Sequence, residues 1–74
     1  MAGKKKHTIA EKVSARIKQL RMQRKITQEQ FLFDTKLHVG RMETQPMNFQ
    51  VDTIETVCKY FGISLKEFFE DGFD

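Results

Sequence analysis

Apolar residues recur at helical spacing along this chain, and no segment alternates with the two-residue period of a β-strand. In the first segment they fall at positions 9, 13, 17 and 20, which form one stripe of an amphipathic helix. In a later segment they fall at positions 51, 54, 57, 58 and 61. This pattern predicts an all-α fold in which each helix turns one apolar face toward a shared core.

Polar residues mark where several of these helices begin. A capping box needs Ser or Thr three residues before Glu or Gln, so that each side chain accepts a backbone N–H of the first turn. The spacing occurs three times, at Thr8 with Glu11, Thr27 with Gln30, and Ser64 with Glu67. Pro46 and Gly62 stand where two helices should stop. We predict helices over about 8–25, 27–35, 38–45, 51–61 and 65–70, which make a compact five-helix domain.

The length of 74 residues allows one domain. We expect a basic tail at 1–7, the folded domain at 8–70, and a C-terminal tail at 71–74. A single cysteine, Cys58, excludes an internal disulfide and favours a buried thiol in a reducing compartment. No Cys/His cluster has metal-site spacing, so we expect neither a metal nor a cofactor. No apolar run approaches the ~20 residues of a membrane span, which favours a soluble cytoplasmic protein.

Positive charge is concentrated at one end of the chain. Residues 1–25 hold nine Lys or Arg against one acid, whereas residues 26–74 hold four against nine. The first part therefore carries +8 and the second −5. Such asymmetry suggests a surface for a polyanion such as nucleic acid, although a solvated basic helix would look the same.

Several segments resemble one family of DNA-binding proteins. They are RIKQLR at 16–21, ITQEQF at 26–31, RME at 41–43, VDTI at 51–54 and YFGISLKEFF at 60–69. In this order they closely resemble the Cro/lambda-repressor-like (XRE) helix-turn-helix family, over about residues 9–69. The resemblance implies a lambda-repressor-like domain that binds double-stranded DNA as a small transcriptional regulator, a repressor. It also implies a homodimer, because such regulators bind two half-sites about one DNA turn apart.

The resemblance implies that the third helix, at about 38–45, enters the major groove. Val39 and Met42 should face the core. The candidates for base contact are the polar side chains on the opposite side, namely His38, Arg41, Thr44 and Gln45. Arg can pair with guanine and Gln with adenine through two hydrogen bonds. The alternative is that Arg41 and His38 touch only phosphates, and that His38 caps the helix.

The resemblance also implies phosphate contacts around the second helix. Thr27 and Gln28 match the start of that helix, whose free N–H groups suit an anion. Gln28 could equally be a solvent-exposed residue of the first turn. Lys36 in the turn and Asn48 in the following loop complete the predicted phosphate contacts. In the family an arginine pairs with a glutamate to tie the first helix to the third, and we assign this structural ion pair to Arg16 and Glu43.

The chain departs from the family in the turn between the second and third helices. About three residues fewer separate these helices, so the third helix should start late or the turn should be tighter. Lys36 stands where the family commonly has glycine. If the backbone there is left-handed, lysine costs ~1–2 kcal/mol relative to glycine. Gly40 lies inside the third helix, and close packing against the second helix is the first explanation for it.

Other classes of function have less support. No Ser/His/Asp, Cys/His or phosphate-binding glycine motif is present, so we do not expect an enzyme or a small-molecule ligand. The alternative is an antitoxin-like or other interaction module that sequesters a protein partner through its acidic second half. Phe68 should belong to the core, whereas Phe33 and Phe73 are candidates for a dimer or partner surface.

Overall fold

The computed structural model describes residues 8–44 and 49–73. This part of the chain contains no strand and forms five helices: α1 (Ile9–Gln23), α2 (Gln28–Thr35), α3 (Val39–Thr44), α4 (Val51–Phe61) and α5 (Leu65–Phe69). The all-α prediction is confirmed, and the predicted helix limits differ from these by two residues at most. The predicted basic tail at 1–7 lies outside the described residues.

Two of the three predicted capping boxes are confirmed. The Thr8 hydroxyl accepts the backbone N–H of Glu11 at 3.1 Å, and the Glu11 carboxylate accepts that of Thr8 at 2.7 Å. Ser64 and Glu67 make the same reciprocal pair at 3.1 and 2.8 Å. These bonds satisfy donors that the first turn of a helix leaves without partners.

The third predicted box, at the start of α2, is only half formed. The Thr27 hydroxyl accepts the N–H of Gln30 at 3.0 Å, so the cap itself is confirmed. The reciprocal bond from the Thr27 N–H to the Gln30 side-chain oxygen is absent, because the Gln30 side chain is turned toward Asp34, to whose carboxylate its Nε2 donates at 2.9 Å. A hydrogen bond to an ionised acceptor is stronger than one between neutral groups, which favours this orientation of the Gln30 side chain.

The ends of α1 and α2 are set by left-handed residues. Lys25 has a φ of 57°, and α1 ends two residues earlier, at Gln23. Lys36 has a φ of 66°, so the position predicted to carry the cost of a missing glycine is indeed left-handed. Gly62 has a φ of 70° at the end of α4, where we predicted the helix to stop.

The core lies where the five helices meet. α3 packs against both α1 and α2, α2 also packs against α4, and α4 packs against α5. The buried apolar residues of the core are Val13, Ile17, Leu20, Phe31, Val39, Val57, Cys58, Phe61 and Phe68. This confirms the predicted burial of Cys58 and Phe68, and burial raises the pKa of the Cys58 thiol.

Two residues of the predicted apolar stripes do not join the core. Ile9 and Val51 are both exposed. Each is the first residue of its helix, α1 or α4. The apolar period therefore extends one turn beyond the part of each helix that another helix covers.

Aromatic rings join α2 to α4. The Phe31 ring lies 5.2 Å from that of Tyr60 and 5.7 Å from that of Phe61. The Tyr60 hydroxyl also donates a hydrogen bond to the Asp34 carboxylate. This bond lowers the pKa of Asp34 and raises the pKa of Tyr60, because it favours the ionised acid and the neutral phenol.

The C-terminal residues 71–73 pack onto the domain. The Phe73 ring lies 4.9 Å from the Phe69 ring and 6.1 Å from the Phe68 ring. The Asp71 carboxylate accepts a hydrogen bond from the Gln19 amide at 3.2 Å. Most of the segment predicted as a tail is therefore held against α1 and α5.

Two further kinds of feature are missing from residues 8–44 and 49–73. None of their helices is both long and apolar enough to cross a membrane. They also bring together no group of three His, Cys, Asp or Glu side chains that could hold a metal ion.

Replacing Lys36 by glycine should stabilise the domain relative to Lys36→Ala. A left-handed backbone destabilises a residue with a Cβ by ~1–2 kcal/mol relative to glycine. Glycine also increases the entropy of the unfolded chain, which offsets ~0.4–1 kcal/mol of this advantage. We expect the free energy of unfolding of Lys36→Gly, measured by urea denaturation, to be about 0.5–1 kcal/mol higher than that of Lys36→Ala. Both variants lose the lysine side chain, so the difference isolates the backbone, and equal stabilities would contradict the account.

Candidate nucleic-acid interface

The outer side of α3 presents three of the four residues predicted to contact bases. His38, Arg41 and Thr44 are spaced by three residues, and all three are exposed. On the opposite side Val39 is buried and Met42 packs against the core. The fourth candidate, Gln45, lies outside the described residues. The predicted division of α3 into a core side and an outer side is confirmed.

The start of α3 explains how these side chains come to be grouped. The carbonyl of His38 accepts the N–H of Arg41 and that of Met42, both at 3.1 Å, so His38 lies immediately before the first turn. The Thr44 hydroxyl donates to the carbonyl of Gly40 at 2.8 Å, which keeps this hydroxyl along the helix surface. The Arg41 guanidinium is exposed and makes no hydrogen bond or ion pair with the residues that the structure describes.

A partly buried ion pair fixes α3 to α1, and its arginine differs from the one we predicted. Arg21 donates two hydrogen bonds to the Glu43 carboxylate, from Nε at 2.9 Å and from Nη2 at 3.0 Å. Their side chains are only 12% and 4% exposed. These bonds raise the pKa of the Arg21 guanidinium above its ordinary value. The assignment of Glu43 to Arg16 is wrong, whereas the predicted role of Glu43 in joining α1 to α3 is confirmed.

Two additional bonds reinforce this contact between α1 and α3. Arg21 Nη1 donates to the carbonyl of Ile26 at 2.9 Å, which ties the turn before α2 to the same guanidinium. The buried Ser14 hydroxyl donates to the carbonyl of Met42 at 2.7 Å. The six-residue helix α3 thus contacts both α1 and α2, and its orientation relative to α1 is set by hydrogen bonds as well as by packing.

Arg16 has a different structural role, at the end of α5. Its Nε donates to the carbonyl of Phe68 at 2.7 Å, and its Nη2 donates to the carbonyl of Glu67 at 2.8 Å. The guanidinium also lies 3.8 Å from the Asp71 carboxylate. A cation at a helix C-terminus satisfies carbonyls that have no partner in the helix and opposes the negative end of its dipole. Arg16 therefore joins α1 to α5.

The apolar period of α1 contained the signal that distinguishes the two arginines. Val13 and Ile17 are buried, and Arg21 continues their four-residue spacing. Arg21 therefore extends the buried stripe, whereas Arg16 lies about 100° away from Ile17 around the helix. Family resemblance directed the prediction to Arg16, and the periodicity of this chain favours Arg21.

Gln28, a predicted phosphate contact, is turned toward α3. Its amide Nε2 donates to the Glu43 carboxylate at 3.1 Å. A Cβ built on Gly40 would lie 3.1 Å from the Gln28 side-chain oxygen, so a larger residue there would require the Gln28 side chain to shift by a few tenths of an ångström. The predicted close packing of Gly40 against α2 is therefore observed at Gln28. In this structure Gln28 helps to position α3, and its predicted contact with a phosphate stays a prediction.

Two of the other predicted phosphate contacts, Thr27 and Lys36, lie at the two ends of α2. Thr27 is exposed, and its hydroxyl already accepts the N–H of Gln30 in the cap of α2. Lys36 is exposed, with its Nζ 5.3 Å from the centre of the Phe33 ring. Asn48 lies outside the described residues. A shallow groove runs between α2 and α3 and brings Gln28, Glu29 and Leu32 beside residues 38–41.

Part of the basic charge near the N-terminus serves the fold. Besides Arg16 and Arg21, Arg24 donates to the carbonyl of Phe61 at 3.1 Å, and its guanidinium lies 5.0 Å from the Phe61 ring centre. Lys18 and Lys25 are exposed. The charge asymmetry of the sequence therefore overstates the positive charge that α1 offers to a polyanion.

Comparison of the chain with protein-family models, with curated proteins and with solved structures finds no match. The resemblance to the Cro/lambda-repressor-like family accordingly stays a prediction.

The corrected ion pair can be tested by its coupling energy. Arg21→Met should destabilise the domain by about 3 kcal/mol, because it leaves the Glu43 carboxylate buried without its partner. The double variant Arg21→Met/Glu43→Leu should be destabilised by at least about 1 kcal/mol less than the sum of the two single variants. As the matched control, Arg16→Met and Glu43→Leu should add to within ~0.5 kcal/mol. Coupling of Glu43 to Arg16 but not to Arg21, measured by urea denaturation, would contradict the structure.

Proposed function

We propose that this chain is a sequence-specific double-stranded DNA-binding protein that acts as a small transcriptional repressor. In this proposal α2 and α3 form a helix-turn-helix unit. α3 lies in the major groove, and α2 lies across the phosphate backbone. The chain acts in the cytoplasm, where a regulator of this kind meets its DNA.

The observation that carries the proposal is the asymmetry of α3. Its inner side is held by the core, by the Ser14 hydroxyl and by the Arg21–Glu43 pair. Its outer side offers exposed polar side chains at His38, Arg41 and Thr44. A six-residue helix has little stability of its own, so contacts on its inner side are needed to hold its outer side in one orientation. Reading base edges requires such a rigid arrangement.

Each exposed side chain of α3 suits a different base edge. The guanidinium of Arg41 matches the O6 and N7 acceptors of guanine, which is the commonest specific contact in the major groove. The Thr44 methyl group suits the thymine methyl, and its hydroxyl can donate or accept. His38 can bond a base or a phosphate from the beginning of the helix. Gln45 is retained as a fourth candidate on the strength of its place in the sequence.

Phosphate contacts would position the protein along the duplex. The N-terminus of α2 offers backbone N–H groups beside Thr27, and such a terminus attracts anions. Lys36 adds an exposed ammonium group at the other end of α2. Asn48 and the amide of Gln28 remain proposed contacts, and Gln28 would have to exchange its bond to Glu43 for one to a phosphate.

The regulator is proposed to act as a homodimer, because one short helix reads few bases. Two copies on two half-sites about one DNA turn apart would double the number of contacts and match a near-palindromic operator.

One observation favours a second candidate, a module that sequesters a protein partner. Phe33 on α2 is 72% exposed, so a large aromatic ring faces solvent on the outer face of this helix. In this alternative the outer face of α2 binds another protein, and DNA binding is weak and independent of sequence.

Selection of bound sequences from a random duplex library tests the main proposal against the alternative. We expect a near-palindromic consensus, and Arg41→Ala should weaken binding to it by roughly 5- to 150-fold, the value of ~1–3 kcal/mol for a good base contact. Lys59→Ala is the matched control, because it removes the same charge from an exposed position on α4.

Binding should also weaken steeply when salt is raised from about 50 to 200 mM, because phosphate contacts release counterions. Lack of enrichment, with only weak binding to any duplex, would contradict sequence-specific recognition and favour the protein partner.

A further inference from the structure

An exposed acid lies at the start of α2, the helix that we propose to lie across the phosphate backbone. Glu29 is in the first turn of this helix, directly after Gln28. Its side chain is exposed and makes no hydrogen bond or ion pair with the residues that the structure describes. A carboxylate without a partner is unexpected on a surface proposed to contact a polyanion, because like charges repel each other.

Glu29 borders two shallow grooves of the proposed interface. The groove between α2 and α3 brings it beside His38 and Arg41. A second groove, on the outer face of α2, brings it beside Phe33 and Lys36. No other acid lines either groove within the described part of the chain. The carboxylate is therefore shared by the groove of a proposed base contact and the groove of a proposed phosphate contact.

The other acids of α2 and α3 already have partners. The Asp34 carboxylate accepts hydrogen bonds, one of them from the Tyr60 hydroxyl on α4. The Glu43 side chain is 4% exposed and belongs to the ion pair that joins α1 to α3. Glu29 is therefore the acid of these two helices whose charge is left for a ligand to meet.

We infer that Glu29 limits the affinity of the chain for the phosphate backbone of any duplex. The inference rests on the proposed function, and it adds a residue that opposes binding to those that favour it. Glu29 and Lys36 line one groove, and seven residues span about 10 Å along a helix axis. Salt at about 0.1 M screens charges over a similar distance of about 10 Å. A phosphate that Lys36 attracts therefore lies within the range of the carboxylate.

The carboxylate also opposes the attraction of the α2 N-terminus for anions. The aligned peptide dipoles place about half a positive charge at a helix N-terminus, and Glu29 places a negative charge in the same turn. This arrangement stabilises the helix, which is the purely structural explanation of the residue. Both explanations predict a slightly less stable helix when the charge is removed, but only repulsion predicts tighter DNA binding.

Glu29→Gln tests the inference, because it removes the charge and changes the size of the side chain little. The affinities of the wild-type and variant chains are measured by fluorescence anisotropy with a labelled random-sequence duplex and with the selected consensus duplex. At about 50 mM salt we expect Glu29→Gln to bind both duplexes roughly three- to tenfold more tightly. The gain should shrink at about 200 mM salt, because salt screens exposed charges.

Two further variants provide matched controls. Glu29→Asp keeps the charge in the first turn of α2, so its affinity for both duplexes should stay close to that of the wild type. Glu70→Gln removes the same charge from an exposed position at the end of α5, a helix that packs on α4. Its affinities should also stay close to those of the wild type, because screening weakens the effect of a distant charge. Urea denaturation checks that each variant is folded.

Three results would overturn the inference while leaving the proposed function intact. The first is a Glu29→Gln variant that binds no more tightly than the wild type, and the second is an equal gain in Glu70→Gln. The third is weaker binding of Glu29→Gln to the consensus duplex alone, which would show that the carboxylate accepts a hydrogen bond from a base such as cytosine. Absence of binding by every variant at low salt would instead reject the proposed function, and the inference with it.

Discussion

The Arg21–Glu43 pair is the interaction on which the arrangement of α1, α2 and α3 depends. One guanidinium bonds the carboxylate of α3 through two nitrogens and the carbonyl of Ile26 through the third. The same carboxylate accepts the Gln28 amide from α2. Burying two charges is costly unless their hydrogen bonds are well formed, so the pair contributes more to orientation than to net stability. Its geometry sets where the outer side of α3 lies.

The short length of α3 explains why this pair matters. The helix has six residues, and it contains Gly40, which lies close to the Gln28 side chain. Neither property favours an isolated helix. α4, by contrast, has eleven residues and contributes three buried side chains to the core. Because the outer side of α3 is polar, this helix has less apolar surface to pack against the core. The hydrogen bonds from Arg21 and Ser14 therefore fix its orientation.

Much of the fold could be predicted from local signals in the sequence. Caps such as Thr8–Glu11 and Ser64–Glu67 involve residues three apart, and the left-handed turn at Gly62 depends on a single residue. Long-range choices were harder to predict. Gln30 prefers Asp34 to its own cap, and Arg16 reaches carbonyls about fifty residues away. For the arginine that faces Glu43, the four-residue spacing of Val13, Ile17 and Arg21 contained the signal, and the family resemblance directed the prediction to Arg16 instead.

The candidate site was predictable to a similar extent. Helical spacing placed His38, Arg41 and Thr44 opposite the core residues of α3, and the structure confirms their exposure. The position of Gln28 could not be predicted in this way, because it depends on Glu43 and Gly40 in another helix.

The outer side of α3, held by the Arg21–Glu43 pair, is the surface that we propose to contact DNA. An NMR titration of isotope-labelled wild-type chain with a random-sequence duplex tests it without knowledge of an operator. The account predicts that the largest amide shifts fall on residues 38–44 and on the first turn of α2. Shifts centred on α4 or on the outer face of α2 around Phe33, or no shifts at low salt, would contradict it.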